Sequence, residues 1–147
     1  MNGLIERAEV LIEALPYIRE FRGATIVVKY GGAAMTDDAL KAGVCADIAL
    51  LHYVGMKPVV VHGGGPMISD MMTRLGLEPR FVNGQRVTDD ATMQIAEMVL
   101  VGAVAQDLAA SIQSAGVPAV ALSGRDGWTL GACKLESPDG ADLGRVG

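Results

Sequence analysis

Two passages in which a hydrophobic strand stops at glycines constrain the fold of this chain more than any other feature. "VVKYGGAAM" covers residues 27–35 and "VVVHGGGPM" covers residues 59–67. In both, β-branched residues typical of a strand run straight into glycines, and a segment with helical periodicity follows. This order is typical of the crossover units of a parallel α/β sheet.

The rest of the chain predicts elements of the same kind. Strands are predicted at residues 24–30, 57–62 and 118–123, and their continuous apolar runs predict burial on both faces of a sheet. Helices are predicted at 37–54, at 66–75, and from residue 88 or 89 to about 115. The region 78–87 is irregular or strand-like with a turn at Asn83-Gly84, and turns alternate with strand-like pieces after residue 123.

The segment 4–21 has the apolar spacing of an amphipathic helix. Pro16 lies inside this pattern and is expected to kink or divide the helix. The apolar stripe has two interpretations. The helix packs on its own domain, or it serves as an oligomerisation arm.

Composition and charge allow a globular core and argue against one class of function. The 147 residues suffice for one ordinary domain, and 50% of them are hydrophobic, which allows a sizeable core. The net charge of −5 argues against general nucleic-acid binding, which needs a basic face. The charge does not exclude an anionic small ligand, because local amides and cations can override it.

Other features are typical of a soluble cytoplasmic protein. Cys45 and Cys133 lie far apart without metal-type spacing, as in a reducing compartment. His52 and His62 alone cannot form a cluster metal site, so no metal site is predicted. We find neither the layout of a signal peptide nor an apolar run approaching the ~18 residues of a membrane span.

The glycine breaks are candidate anion sites. In open α/β sheets, ligands bind beyond the carboxyl ends of the strands, where bare backbone N–H groups and a helix N-terminus can approach an anion. Gly31-Gly32 and Gly63-Gly64-Gly65 are therefore candidate cradles for phosphate or carboxylate oxygens. The alternative is that both are tight turns that the fold requires. Neither loop has the spacing of a Walker motif or of a dinucleotide-binding fingerprint.

Lys29 lies two residues before the first glycine break, inside an apolar strand. A lysine at the carboxyl end of a strand can reach a transferring phosphoryl group and offset the charge that develops on its oxygens. The alternative is a lysine whose amine extends into solvent at the strand edge.

Arginines near the other strand ends are further candidates. Arg86, in "NGQRVTDD", could hold a carboxylate through two parallel hydrogen bonds, or could pair at the surface with Asp89 or Asp90. Arg125 and Asp126 could face the same edge of the sheet or pair with each other across a turn. His62 is expected to hold its strand end rather than to act as a base.

These motifs together resemble acetylglutamate kinases of the amino acid kinase superfamily. The matching passages are "VVKYGGAAM", "VVVHGGGP", "NGQRVTD", "MVLVG", "ALSGRDG" and "DLGRVG", in order and over nearly the whole chain. The resemblance implies a three-layer αβα sandwich with a mainly parallel sheet. It also implies transfer of the ATP γ-phosphate to the side-chain carboxylate of N-acetyl-L-glutamate in arginine biosynthesis, with Mg²⁺ accompanying ATP.

The resemblance also assigns roles to residues. Lys29 matches the lysine that stabilises the phosphoryl group, and Gly31 and Gly32 match a phosphate-contacting loop. Gly64 and Gly65 match substrate-binding glycines. Arg86 matches the arginine that holds the substrate carboxylate.

The domain organisation that the resemblance implies is an arm at 1–23 and an acetylglutamate-binding lobe at 24–147. "EALPYIREF" resembles the N-terminal helix of arginine-inhibited members, which joins dimers into a hexamer. Family members are about twice as long as this chain. The ATP-binding lobe is therefore expected to be missing here, and the isolated chain is expected to be inactive.

Rival interpretations remain. One is another superfamily member, such as a carbamate, aspartate or glutamate 5-kinase, which "NGQRVTD" disfavours. The other is a non-catalytic module that binds a ligand or assembles through its first helix. After "MVLVG" the family usually has "xVNK", whereas this chain has "AVAQD" with Ala105, Gln106 and Asp107, so the family's dimer contact is a less secure expectation.

Overall fold

The computed structural model describes residues 2–147, with side chains at residues 5–32 and 35–147. The chain divides into two compact units, which are described separately below. The first unit comprises Met1–Val61 with Ser114–Val117, and the second unit comprises His62–Gln113 with Pro118–Gly147.

The helices and strands follow in the order expected for an α/β chain. The elements are α1 (Asn2–Phe21), β1 (Thr25–Tyr30), α2 (Asp38–Tyr53), β2 (Lys57–His62), α3 (Gly65–Arg74), β3 (Phe81–Val82), β4 (Gln85–Arg86), α4 (Asp90–Glu97) and α5 (Ala105–Ser114). Single 3₁₀ turns occur at Gly32–Met35 and Asp126–Trp128, and a π-helical segment occupies Met98–Val104.

The first unit contains the predicted parallel strand pair. β1 and β2 are neighbours in one sheet. Gly23 N donates to Gly55 O at 2.7 Å and Lys57 N donates to Ala24 O at 2.8 Å, so both strands run in the same direction. The intervening helix α2 begins as predicted, because the carboxylate of Asp37 accepts a hydrogen bond from Leu40 N. The predicted α/β class with a parallel sheet is confirmed.

The prediction that these strands are buried on both faces is wrong. Exposure alternates along β1 and β2, and Val27, Val59 and Val61 are 66%, 47% and 52% exposed. A strand is buried on both faces only where a layer covers each face. The buried side chains of this unit are Tyr30, Cys45, Ile48, Ala49 and Val117. The described residues leave the other face open to solvent.

Helix α1 is a single helix that continues through Pro16, so the proline does not divide it. Its apolar side chains Val10, Leu11 and Ile12 are 66%, 70% and 64% exposed. The described part of the chain therefore does not bury the apolar stripe, contrary to the interpretation in which α1 packs on its own domain. The side chain of Leu4, the first residue of the predicted stripe, lies outside the described residues.

The second unit is organised around a cluster of apolar side chains from α3, α4 and the π-helical segment. The buried members are Ile68, Met72, Ile95 and Val99. The partly buried side chains packed against them are Met67, Met71, Ala96, Leu100 and Val104. The predicted turn becomes the tip of a hairpin, in which Asn83 and Gly84 have φ of 50° and 77° and join β3 to β4.

The long predicted helix from residue 89 to about 115 is confirmed, but a π-helical segment interrupts it. Asp89 caps its start by accepting a hydrogen bond from Thr92 N. In the π-helical segment, Ala105 N donates to Leu100 O, five residues back. Together, Asp90–Ser114 is long and apolar enough to cross a membrane by length and composition alone. A core helix of a soluble protein passes the same test, and this helix contributes Ile95 and Val99 to the cluster of the second unit.

The prediction of a third strand at residues 118–123 is wrong, since this segment has no strand pairing. Two backbone groups of this segment bond to side chains rather than to a neighbouring strand. Gln113 Nε2 donates to Ala119 O at 2.9 Å, and Ser123 N donates to the carboxylate of Asp126 at 2.6 Å. The strand-like pieces expected later in the chain reduce to a single bridge between Thr88 and Gly144.

Candidate functional site

The predicted site residues fall in both units. Lys29, Gly31 and Gly32 lie in the first unit, and Gly64, Gly65 and Arg86 lie in the second. The structure brings the three residues of the second unit together around one end of α3. The residues of the first unit occupy the end of β1 and the 3₁₀ turn that follows it.

In the first unit, Lys29 is the penultimate residue of β1 and its side chain is exposed. Among the described residues, its amine makes no hydrogen bond or ion pair. Gly32 has φ of 65°, a backbone conformation that favours glycine. Gly31 has no such requirement, and a Cβ there would meet no atom within 4 Å. The turn geometry therefore explains Gly32 but does not explain Gly31.

In the second unit, the three glycines after β2 differ in the space around them. A Cβ on Gly64 would lie 2.5 Å from Leu100 Cδ2, so the Leu100 side chain would have to shift to admit it. A Cβ on Gly63 or Gly65 would meet no atom within 4 Å. Packing therefore explains one glycine of the three. His62 Nδ1 lies 2.9 Å from Gly63 O, so its ring contacts the strand end as predicted.

Arg86 is positioned by the β3–β4 hairpin. The register places Phe81 directly opposite Arg86. The guanidinium carbon of Arg86 lies 4.7 Å from the centroid of the Phe81 ring, which is a cation–π contact. The aromatic ring therefore supports one face of the guanidinium.

One face of α3 holds the nitrogens of Arg86. Arg86 Nη2 donates to Gly65 O at 2.9 Å and to Ser69 Oγ at 2.8 Å, and Nη1 donates to Met72 Sδ at 3.4 Å. Residues at i, i+4 and i+7 share one face of a helix, which is why these three acceptors converge. Neither Ser69 nor Met72 was predicted as a site residue, although their spacing from Gly65 was a usable signal.

All three acceptors around Arg86 are uncharged. Asp89 caps α4, and the carboxylate of Asp90 pairs with Arg145, so the alternative in which Arg86 pairs with either acid is wrong. Partial burial of the guanidinium lowers the pKa of Arg86, because desolvation disfavours the charged form. The guanidinium keeps a positive charge that no described carboxylate neutralises.

The backbone next to Arg86 is fixed by the last residues of the chain. Thr88 Oγ1 donates to Arg86 O at 3.1 Å. Thr88 N donates to Leu143 O at 2.8 Å, and Arg145 N donates to Thr88 O at 2.7 Å. Leu143 is 1% exposed, so a buried side chain anchors this segment. The "DLGRVG" motif thus holds the residues that follow Arg86.

Arg125 and Asp126 do not pair with each other. Arg125 forms an ion pair with Glu97, and Asp126 accepts a hydrogen bond from Ser123 N, which lowers the pKa of its carboxyl group. Both side chains are exposed. Through these contacts, Arg125 links the loop after residue 117 to Glu97, and Asp126 holds the backbone of the loop itself. Across the described residues, no group of three or more His, Cys, Asp or Glu side chains is placed to hold a metal ion.

The fold defines an α/β protein with glycine loops at the ends of two parallel strands. The amino acid kinase family matches residues 24–145. This match covers most of the chain, including both glycine loops and Arg86. The chain therefore belongs to the amino acid kinase family.

Individual members of this family are similar to the chain over nearly its whole length. The chain is 53% identical to the acetylglutamate kinase of Symbiobacterium thermophilum and 53% identical to that of Chromobacterium violaceum, in each case over 97% of this chain and 50% of the relative. The chain thus spans about half the length of these curated relatives. Among solved structures, it is similar to N-acetylglutamate synthase from Neisseria gonorrhoeae in complex with coenzyme A and N-acetylglutamate. That similarity has a TM-score of 0.71 and 31% identity over 91% of this chain and 30% of the other.

Proposed function

We propose that this chain is the N-acetylglutamate-binding part of an acetylglutamate kinase. The complete enzyme would transfer the γ-phosphate of ATP to the side-chain carboxylate of N-acetyl-L-glutamate and form an acyl phosphate. The 53% identity to two acetylglutamate kinases supports this assignment. The N-acetylglutamate bound in the related synthase structure supports the same ligand for this fold.

The observation that carries the proposal is the environment of Arg86. A guanidinium held by three uncharged acceptors and a ring face presents positive charge without a carboxylate partner among the described residues. A ligand carboxylate would supply that partner through charge-assisted hydrogen bonds. We therefore assign Arg86 to binding a carboxylate of N-acetylglutamate.

Gly64 and Gly65 would bind the same substrate through their backbone. Gly65 begins α3, and the first N–H groups of a helix have no partners within the helix. The partial positive charge of the helix N-terminus favours an anionic group at this position. The absence of a Cβ at Gly65 leaves open space in which a ligand can approach the amide.

Lys29 would act on the transferring phosphoryl group, with Gly31 and Gly32 contacting phosphate oxygens. Its ammonium group is exposed at the carboxyl end of β1, where ligands of parallel sheets bind. Fixed positive charge stabilises the charge that develops on the phosphoryl oxygens. The acceptor is already ionised near neutral pH, so the reaction needs no general base, and His62 is left to its contact with Gly63 O.

ATP would bring Mg²⁺ on its phosphates. The adenine and ribose site would lie in the half of the relatives that this chain does not match, as the resemblance implies. ATP supplies the phosphoryl group, whereas the residues of this chain bind the acceptor and stabilise charge. We propose a cytoplasmic location, without a nucleic-acid or membrane partner, because the activity belongs to amino-acid biosynthesis.

We also propose that α1 is an oligomerisation arm, with residues 24–147 forming the lobe. Its apolar side chains are exposed in this chain, and burying them against another copy would remove them from water. A dimer or hexamer of the full-length protein, with arginine as a feedback inhibitor, is the assembly that the resemblance supports.

Two assays test the function. In calorimetry, we expect the chain to bind N-acetylglutamate weakly, and we expect Arg86→Ala to lose about 2 kcal/mol of binding free energy. Arg125→Ala removes an exposed arginine of the same unit and serves as the matched control. In a hydroxamate assay with ATP and Mg²⁺, we expect negligible turnover by the 147-residue chain.

Each assay has a contrary outcome. Unchanged affinity in Arg86→Ala would remove Arg86 from the substrate site. Turnover at ordinary kinase rates would contradict the proposed division between acceptor-binding and nucleotide-binding halves. The second candidate function is a non-catalytic module. It would be favoured if both the 147-residue chain and a full-length protein that carries it bind N-acetylglutamate without turnover.

A further inference from the structure

The hydroxyl of Ser69 completes the set of hydrogen bonds around one nitrogen of Arg86. Nη2 lies 2.8 Å from Ser69 Oγ and 2.9 Å from Gly65 O. A terminal guanidinium nitrogen carries two hydrogens. Both hydrogens of Nη2 are therefore used within the second unit.

The remaining donors of Arg86 are limited. One hydrogen of Nη1 points to Met72 Sδ at 3.4 Å. Of the five N–H groups of a guanidinium, Nε–H and one hydrogen of Nη1 remain for a ligand. Each edge that could hold a carboxylate with two parallel N–H groups includes Nη2. The two parallel hydrogen bonds expected from the sequence are therefore not available in this arrangement.

Ser69 has a free donor at this position. Its Oγ accepts from Arg86, so its own O–H must point elsewhere, and within the described residues it finds no acceptor. Ser69 is half-buried one helical turn after Gly65, and it lies on the face of α3 that Arg86 contacts. A hydroxyl that accepts from a cation is polarised and becomes a better donor.

We propose that Ser69 acts with Arg86 as a second anchor for the ligand carboxylate. Ser69 fixes the guanidinium through Nη2 and donates its own O–H to the carboxylate that Nε or Nη1 of Arg86 contacts. The identity of the ligand rests on the proposed function. The pairing of Ser69 with Arg86 rests on the contacts of α3 alone.

The pairing is tested first without a ligand, by ¹⁵N NMR of the arginine side chains of the full 147-residue chain, with Arg86→Lys identifying the Arg86 signals. In the wild type, two hydrogen bonds on Nη2 hinder rotation, and we expect resolved Nη signals. Ser69→Ala should average these signals, whereas Ser69→Thr, which keeps a hydroxyl, should preserve them. Averaged signals in the wild type, or an unchanged spectrum in Ser69→Ala, would overturn the inference.

Binding is tested second by titration with N-acetylglutamate and with glutarate, a dicarboxylate that lacks the acetamido group. We expect Ser69→Ala to weaken binding about tenfold and Ser69→Thr to remain within about twofold of the wild type. Ser111→Ala is the matched control, because its hydroxyl donates to a backbone carbonyl in α5. It should bind as the wild type does.

The outcomes separate this inference from the proposed function. If glutarate perturbs the Arg86 signals and N-acetylglutamate does not, the proposed substrate is wrong and the anchor pair stands. If neither dicarboxylate perturbs Arg86 in the wild type, or if Ser69→Ala binds both as tightly as the wild type does, the inference about Ser69 is wrong.

Discussion

The two glycine loops have similar sequences but are built differently. The loop of the second unit has a crowded glycine at Gly64 and lies beside Arg86, whose two terminal nitrogens and one guanidinium face have partners. In the first unit, a Cβ on Gly31 or Gly32 would meet no atom within 4 Å, and the neighbouring Lys29 amine has no partner among the described residues. The described contacts therefore orient Arg86 beside the second loop, whereas no described contact orients the amine of Lys29 beside the first.

This difference agrees with the roles proposed for the loops. A site that holds a substrate gains affinity when its groups are already oriented, because less freedom is lost on binding. A lysine that follows a phosphoryl group through transfer needs reach and charge, which a flexible side chain with a single ammonium provides. We therefore expect substitutions in the second unit to change affinity and substitutions at Lys29 to change rate.

The largest effect is expected at Lys29. In a full-length enzyme that carries this chain, Lys29→Ala should lower kcat by roughly 100-fold or more and change the KM for N-acetylglutamate by less than about twofold, because its charge acts on the transition state. Lys57→Ala is the matched control. Lys57 is also exposed, but it lies at the amino end of β2, whereas Lys29 lies at the carboxyl end of β1. Steady-state kinetics measures both constants. An unchanged kcat would remove Lys29 from its proposed role.

The next effect is expected at Arg86. Arg86→Lys keeps the charge but cannot reproduce the contacts with Gly65 O, Ser69 Oγ and the Phe81 ring at the same time. We expect calorimetry to show affinity for N-acetylglutamate reduced about tenfold or more. Arg125→Lys should leave the affinity unchanged. Equal affinity of Arg86→Lys and the wild type would show that charge alone, without orientation, suffices at this position.

A smaller effect distinguishes the glycines of the second loop. Gly64→Ala forces its Cβ against Leu100, and we expect it to lower the free energy of unfolding by about 1–3 kcal/mol. In a Leu100→Ala background the same substitution should cost less, because the clashing atom is gone. Denaturant unfolding of the four proteins measures this coupling.

Gly63→Ala is the matched control, since a Cβ there meets no atom within 4 Å. It should preserve stability. Identical costs of Gly64→Ala in both backgrounds would contradict the packing explanation for this glycine.

The smallest effect concerns the start of α4. The hydrogen bond from Thr92 N lowers the pKa of Asp89 below its ordinary value of 3.8. A lowered pKa in the folded state stabilises the fold above the ordinary pKa, and this contribution is lost as the pH falls below about 4 through the lowered value. Asp89→Asn keeps an oxygen for the cap without this titration. The stability difference between Asp89→Asn and the wild type should therefore change only below about pH 4, as measured by thermal unfolding across the pH range. A difference that also varies between pH 5 and 8 would contradict this account.

Local patterns in the sequence predicted much of the fold. The βαβ order, the Asp89 cap and the Asn83-Gly84 turn depend on residues that lie close together in the chain, and all are present. The strand predicted at residues 118–123 is absent, and its apolar pattern does not reveal that side chains bond to two of its backbone groups. The π-helical segment was missed because no composition signal distinguishes it from an α-helix.

For the candidate site, the sequence singled out the glycines, Lys29 and Arg86 as candidates, but not the residues that orient Arg86. Ser69 and Met72 reach Arg86 across 17 and 14 residues of chain, so their contacts depend on how the hairpin lies over α3. Helical spacing from Gly65 indicated which side chains share a face, but not what that face contacts. Tertiary packing decided this part of the site.

The central claim is that the loop of the second unit, together with Arg86, binds the carboxylate-bearing substrate. The most direct measurement is a titration of the ¹⁵N-labelled chain with N-acetylglutamate. The NMR signals of the Gly64 and Gly65 backbone amides and of the Arg86 guanidinium report the binding. The account predicts that all three shift together with a single dissociation constant. Saturable binding that leaves these three groups unperturbed would contradict it.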